Sequence, residues 1–199
     1  MKDFKKIRIV KIGDADVLVH NPTRYPLIGK GKQGAVFKLS SNKCVKIFWR
    51  NELAQKESDV YEKVGDSKLL PDVYKVGHNY IVMEYIPGTT LKSLIIDETL
   101  EHLPIAIVEQ IINMFKEMKR LGFSRIDVST GHVIITDAGN FKLIDHANSL
   151  SKHQPFPQRL FNKLRRYEKL KPFLADVRQL DEQLFEEWKK LAPNYFENH

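Results

Sequence analysis

The sequence predicts an α+β fold in two lobes, a small antiparallel-sheet lobe over residues 1–86 and a mainly helical one over residues 87–199. Three observations predict it. Residues 5–48 alternate apolar and polar in short runs broken by turn residues ("KIRIVKI", "VLVH", "AVFKLS", "CVKIF"), the pattern of an antiparallel meander. Pro87 and Gly88 then punctuate the chain and place a boundary at residues 85–90. Beyond them the apolar spacing becomes helical.

The elements follow in order. "RNELAQKESDVYEKV", from Arg50 to Val64, exchanges the period of two for helix formers, with Leu53, Val60, Tyr61 and Val64 at helical spacing. "DVYKVGHNYIVMEYI" reads as a hairpin turning at Gly77, His78 and Asn79. "PIAIVEQIINMFKEMKRLG" has apolar residues at 107, 111, 114, 115, 118 and 121, with Pro104 suited to a first helical turn and Gly122 placed to stop it. "HVIIT" and "FKLID" flank "DAGN" as a second hairpin, and two amphipathic helices are expected at roughly 156–171 and 175–191.

Composition bounds the function classes. With 42% apolar and 29% charged residues, the 199-residue chain can bury a real core. Its longest apolar runs, such as "YIVM", fall far below the roughly 20 residues that span a bilayer, so no membrane span is expected. The start, "MKDFKKIRIVKIGD", has no continuous apolar region and does not read as a signal peptide; the cytoplasm is the expected location. The single cysteine, Cys44, excludes an intramolecular disulfide and agrees with a reducing compartment.

A net charge of +7 and a pI near 9.3 favour an anionic partner: a nucleotide, nucleic acid or a phosphorylated surface. Much of the excess lies in "RLFNKLRRYEKLK", expected as a helix with Arg159, Lys163, Arg165, Arg166, Lys169 and Lys171 over one broad face. A solvated face is the simpler reading. Nucleic acid is the weaker one, because few aromatic residues interleave.

Three constellations carry chemistry. "GKGKQGAV" fits G-x-G-x-x-G-x-V at Gly29, Gly31, Gly34 and Val36, and "AVFKLS" after it alternates as a second strand. A glycine loop between antiparallel strands lets backbone amides fold over nucleotide phosphates; a merely structural turn is the alternative. In "CVKIF", Lys46 is flanked by apolar residues on a presumed central strand, where its ammonium needs partners such as phosphates and a carboxylate. Glu57 is the partner expected on the following helix, with Glu52 and Glu62 as competitors and an exposed-edge lysine as the alternative. Finally, "SRIDVSTGHVIITDAGNFKLIDHA" sets Asp127 in a loop ahead of a hairpin whose far strand ends at Asp145. Phosphoryl transfer needs one carboxylate to accept the proton of the attacking hydroxyl and a second to hold magnesium.

Together these residues resemble the protein kinase superfamily over Tyr25 to Asn148, about 60% of the chain, in the family's order: glycine loop, strand lysine, helix glutamate, "VMEYIPG" as hinge and two aspartates. The resemblance implies a two-lobed kinase-like fold with ATP in the cleft. It implies Met83 as gatekeeper, Glu84 to Ile86 as the hinge that reads adenine, and Ile28 and Val36 against the base. It further implies Lys46 on the α- and β-phosphates, Asp127 as base, and His132 with Asp145 at a Mg or Mn ion. "DHA" stands where the family writes D-F-G.

The departures are specific. Arg125, Ile126 and Asp127 stand for H-R-D, and His132 for its asparagine. The arginine that pairs with an activation-loop phosphate is missing, so phosphorylation-gated activation is not expected. Ser129 replaces the lysine usual in serine/threonine kinases, no A-P-E follows, and 54 residues remain after Asp145. These features resemble the RIO and Bud kinases and the Kdo/WaaP kinases. The expectation is an ATP- and Mg-dependent phosphotransferase acting on a hydroxyl of protein Ser/Thr or of a small molecule. The alternatives are a pseudokinase scaffold and a nucleic-acid-associated ATPase of the Bud type.

Overall fold

The computed structural model describes residues 3–145, 147, 149–150 and 152–197, which form two compact units, one up to Ile86 and one from Pro87.

In the first unit β1 (Arg8–Val10) and β2 (Leu18–His20) form a hairpin of their own. A separate antiparallel sheet holds β3 (Leu27–Lys30), β4 (Gly34–Lys38), β5 (Lys43–Phe48), β6 (Val73–Val76) and β7 (Tyr80–Glu84) in the order β3-β4-β5-β7-β6. The single meander expected over residues 5–48 is therefore corrected to a hairpin plus a sheet. Asn21 divides them: its Oδ1 accepts the Thr23 amide at 2.9 Å and its Nδ2 donates to Tyr25 O at 2.7 Å, which turns the backbone out of any ladder.

β5 is the middle strand, and its alternation divides two cores. Val45 and Ile47 join Phe4, Val17, Phe37 and Val82, while Cys44 and Phe48 join Ala54, Ile81 and Met83. With a period of two, Lys46 shares the second face. A strand covered on both sides has no solvent face, so "CVKIF" reads as nearly continuous apolar sequence. α1 (Asn51–Val64) brings Ala54, Glu57, Ser58 and Val60 to its buried side and ends at Gly65, whose φ is 68°.

In the second unit β8 (Thr89–Thr90), β9 (Val133–Ile135) and β10 (Phe141–Leu143) form a sheet in the order β10-β9-β8. The β9–β10 hairpin matches expectation; β8, two residues long, has no sequence period to announce it. Gly88 admits it: a Cβ there would lie 2.2 Å from Ile135 O. α2 (Leu91–Ile96) follows, then α3 (Ile105–Arg120). Gly122, at φ 75°, closes α3: its amide donates to Lys119 O and that of Phe123 to Met118 O, a Schellman motif.

The two helices expected at 156–171 and 175–191 are three: α4 (Gln158–Arg166), α5 (Leu170–Leu180) and α6 (Glu182–Leu191). A second Schellman turn separates the first pair, Glu168 donating to Arg165 O and Lys169 to Leu164 O, with Glu168 at φ 58° in the place glycine usually takes. Asp181 starts α6 by accepting the Leu184 amide at 2.9 Å. The broad basic face is corrected with it. Lys169 is buried, its Nζ donating to Ile95 O at 2.8 Å and Asp97 O at 2.6 Å, so it caps the end of α2. Arg165 lies over the Tyr195 ring, 4.0 Å from its centroid. Among the described residues, no helix is long and apolar enough to cross a membrane.

Candidate functional site

Within the first unit the glycine loop is the tip of the β3–β4 hairpin. Gly31 N–H donates to Gly34 O at 3.0 Å, and the carbonyls of Gly31 and Gln33 accept from Val17 and Trp49. The Lys32 and Gln33 amides at the tip have no backbone partner among the described residues. The glycines differ in need. At Gly34 a Cβ would lie 2.2 Å from Ile47 O, whereas at Gly31 it would meet nothing within 4 Å and at Gly29 only Val36 at 3.8 Å. Gly34 is thus required by packing; an added methyl at Gly31 would fill only open space at the loop tip. The register shift between Leu27 and Gly29 leaves Ile28 exposed at the bulge.

Val36 pairs with Lys46 across β4–β5, and Lys46 with Ile81 across β5–β7, which puts the three side chains on one face. Lys46 Nζ lies 2.5 Å from Glu57 Oε2, with side-chain exposures of 11% and 1%. Glu52 and Glu62, the competing acids, are exposed. So close a pair in so dry a place offsets its desolvation through direct charge contact, and removing either partner would cost the other that contact. Beside it, Cys44 donates from Sγ to Glu84 O at 3.4 Å. Burial, with the nearby Glu84 carboxylate, pushes this thiol up to about 12, so it stays protonated and unreactive.

The expected hinge is partly committed. Glu84 N–H donates to Asp72 O at 2.8 Å and Tyr85 N–H to Asn42 O at 3.0 Å, while the Ile86 amide has no backbone acceptor among the described residues. Met83 is buried, with the Tyr61 hydroxyl 3.9 Å from its sulfur.

In the second unit Ile144 N–H donates to His132 O at 2.9 Å, so His132 and Asp145 flank the same end of the β9–β10 hairpin. His132 Nδ1 lies 3.6 Å from Asp145 Oδ2, with both side chains more than a third exposed. Asp145 has a φ of 57°, in the left-handed region that aspartate tolerates better than most residues. His146 of "DHA", and Asn148, lie outside the described residues. Among the described residues, no group of three or more His, Cys, Asp or Glu side chains could hold a metal ion. One or two protein ligands fit an ion such as Mg²⁺ that keeps its waters and substrate phosphates.

Asp127 is held from α4. It is buried, its Oδ1 accepts the Arg159 amide at 2.7 Å and its Oδ2 lies 3.3 Å from Arg159 Nε. Arg159 was expected on a basic face, not in the site. A contact across 32 residues leaves no local pattern by which to find it. The chain between Asp145 and α4 is stitched to the residues before Asp127: Arg125 N–H to Ser149 O, Ile126 N–H to Gln154 O and Gln154 N–H to Ser124 O, all at 2.9–3.0 Å.

A family model described as RIO domain matches residues 29–165, a span that runs from the first loop glycine into α4. The chain is 30% identical over 131 residues to a Bacillus subtilis (strain 168) protein named "Putative serine/threonine-protein kinase YrzF", the alignment covering 61% of this chain and 58% of that one. It is 24% identical over 157 residues to "Serine/threonine-protein kinase CBK1" of Yarrowia lipolytica (strain CLIB 122 / E 150), covering 70% of this chain and 27% of the relative. In both cases the chain spans less than two thirds of the relative's length.

Proposed function

The chain belongs to the RIO domain family, and on that premise we propose that it is an ATP-dependent phosphotransferase that moves the γ-phosphate to a hydroxyl, with protein Ser/Thr as the first acceptor to try. The observation that carries this is the buried 2.5 Å contact between Lys46, on the strand next to the glycine-loop hairpin, and Glu57, on α1. A lysine fixed by a carboxylate on the face that Val36 shares is the cation that phosphoryl transfer sets against nucleotide phosphates.

The roles divide between the units. In the first, the loop-tip amides and Lys46 hold phosphates, Gly29, Gly31 and Gly34 keep the loop open and packed, and Ile28, Val36, Met83 and the Glu84 to Ile86 backbone receive adenine. In the second, Asp127 takes the acceptor proton, and Asp145 with His132 would hold Mg²⁺ or Mn²⁺. A bound divalent ion neutralises phosphate charge. A cytoplasmic location accords with the single, unreactive thiol.

A second reading draws on the Asp127–Arg159 contact: a nucleotide-binding scaffold without transfer, if that carboxylate only anchors α4. The nucleic-acid ATPase reading loses ground, since Arg159, Arg165 and Lys169 are engaged within the chain. Incubation with γ-labelled ATP and Mg²⁺ or Mn²⁺, scoring label on protein and free phosphate, separates them. Transfer should disappear in Lys46→Met and Asp145→Ala. Tight ATP binding indifferent to Lys46→Ala would overturn the proposal; binding without turnover would favour the scaffold.

A further inference from the structure

The acid assigned the acceptor proton is held by a helix to which the phosphotransfer reading gives no task. Arg159 is the second residue of α4, and it meets Asp127 twice: its amide donates to Oδ1 at 2.7 Å, and its guanidinium Nε lies 3.3 Å from Oδ2. The amide is one of the first-turn donors that an α-helix cannot satisfy internally, and the helix's positive end faces the same carboxylate. Asp127 is 7% exposed, so the amide bond forms with little water to screen it.

The loop around Asp127 is ordered by the same part of the chain. Ile126, standing where the family's arginine would, is buried at 2% exposure and its amide donates to Gln154 O at 2.9 Å. The residues leading into α4 thus take over, through main-chain bonds, the ordering that a phosphate–arginine pair supplies elsewhere.

We propose that Arg159 is the positioning residue of Asp127: it fixes the carboxylate in one orientation, with Oδ2 presented to the acceptor hydroxyl. The inference rests on the phosphotransfer reading above. A carboxylate has about four acceptor sites. The short bond takes one on Oδ1, and the longer contact leaves Oδ2 with capacity to receive a hydroxyl proton. Were the contact only a cap for α4, the backbone amide would serve without the guanidinium, and the side chain would be dispensable for turnover.

The test uses the full chain with Arg159→Ala and Arg159→Lys. Turnover of γ-labelled ATP gives kcat and KM, and titration of a fluorescent ATP analogue gives affinity separately. Arg159→Ala should lower kcat by about 10- to 100-fold while KM for ATP and analogue affinity hold. Its thermal midpoint should also hold, because the Arg159 side chain is 54% exposed. Arg159→Lys, which restores a cation, should recover part of kcat. Should Arg159→Ala melt low, Arg159→Gln, which keeps the stem, carries the same comparison. An unchanged kcat in a folded variant overturns the proposal, as does a loss of affinity in step with kcat. If the parent chain turns over ATP and the variant matches it, only the role of Arg159 falls. If the parent binds ATP without turnover, the phosphotransfer reading falls and takes this role with it.

Discussion

Lys46 Nζ and Glu57 Oε2 meet at 2.5 Å, one on the middle strand of a sheet and the other on the helix that covers it. Removing one partner takes a 2.5 Å charge contact away from a buried ion. Glu57→Ala should therefore lower stability by about 3–5 kcal/mol. Replacing both, as Lys46→Met with Glu57→Leu, should recover most of that loss while ATP affinity stays lost. Urea unfolding and nucleotide titration of the two variants check it. A single variant as stable as the parent would show that the pair does not hold the helix.

Gly34→Ala and Gly31→Ala should fail differently. The first drives a methyl into Ile47 O and should lower the thermal midpoint; the second adds a methyl into open space and should melt like the parent. If phosphates lie over the loop, only Gly31→Ala among folded variants loses ATP affinity. Equal melting of the two variants would contradict the packing argument.

Glu168 sits at φ 58°, a conformation that costs a side-chain-bearing residue about 1–2 kcal/mol and glycine almost nothing. Glu168→Gly should stabilise the chain, by about 0.5–1 kcal/mol after glycine's extra unfolded-state entropy is set against it. The midpoint of a denaturant titration reads this directly; a lower midpoint would mean that the glutamate has a compensating contact.

The Cys44 thiol should resist alkylation at pH 8 in the native chain and react on unfolding, because folding pushes it from 9.0 up to about 12. Between those values the unfolded chain gives up its proton and the folded chain keeps it. The thiol's contribution to stability is therefore full below pH 9.0 and declines as pH rises toward 12. Rapid labelling of folded protein would refute the burial.

His132 offers nitrogen where an asparagine would offer oxygen, and nitrogen suits manganese better than magnesium. If it is a ligand alongside Asp145, His132→Asn should move the ratio of Mn²⁺- to Mg²⁺-supported turnover toward Mg²⁺. A variant with the parent's ratio, in a protein that Asp145→Ala inactivates, would leave the aspartate as the metal's holder.

Much of the first unit could be read in advance because period-two alternation, glycine loop and hairpin turn are local signals. Lys46 stood out as a charge amid apolar residues, and Glu57 followed from the helix face. The C-terminal helices were harder. A Schellman turn built on Glu168 carries no glycine, and a helix start at Asp181 looks like one more polar residue in an amphipathic run. Lys169 falls on a basic face in the sequence because a lysine that caps another helix's carbonyls is indistinguishable there from one that meets water. Arg159 looks like surface charge in the sequence for a related reason: its partner lies 32 residues away.

Among the described residues, the stitching of Ser149 and Gln154 onto Ser124, Arg125 and Ile126 is made of amide and carbonyl groups, with the Ser124 hydroxyl adding bonds to Ser149 O and Lys152 O. Peptide groups are the same whatever side chains they bear. A segment fixed in this way keeps its course under substitution, Pro excepted where an amide donates, and its outward side chains can drift among relatives without disturbing the acid beneath.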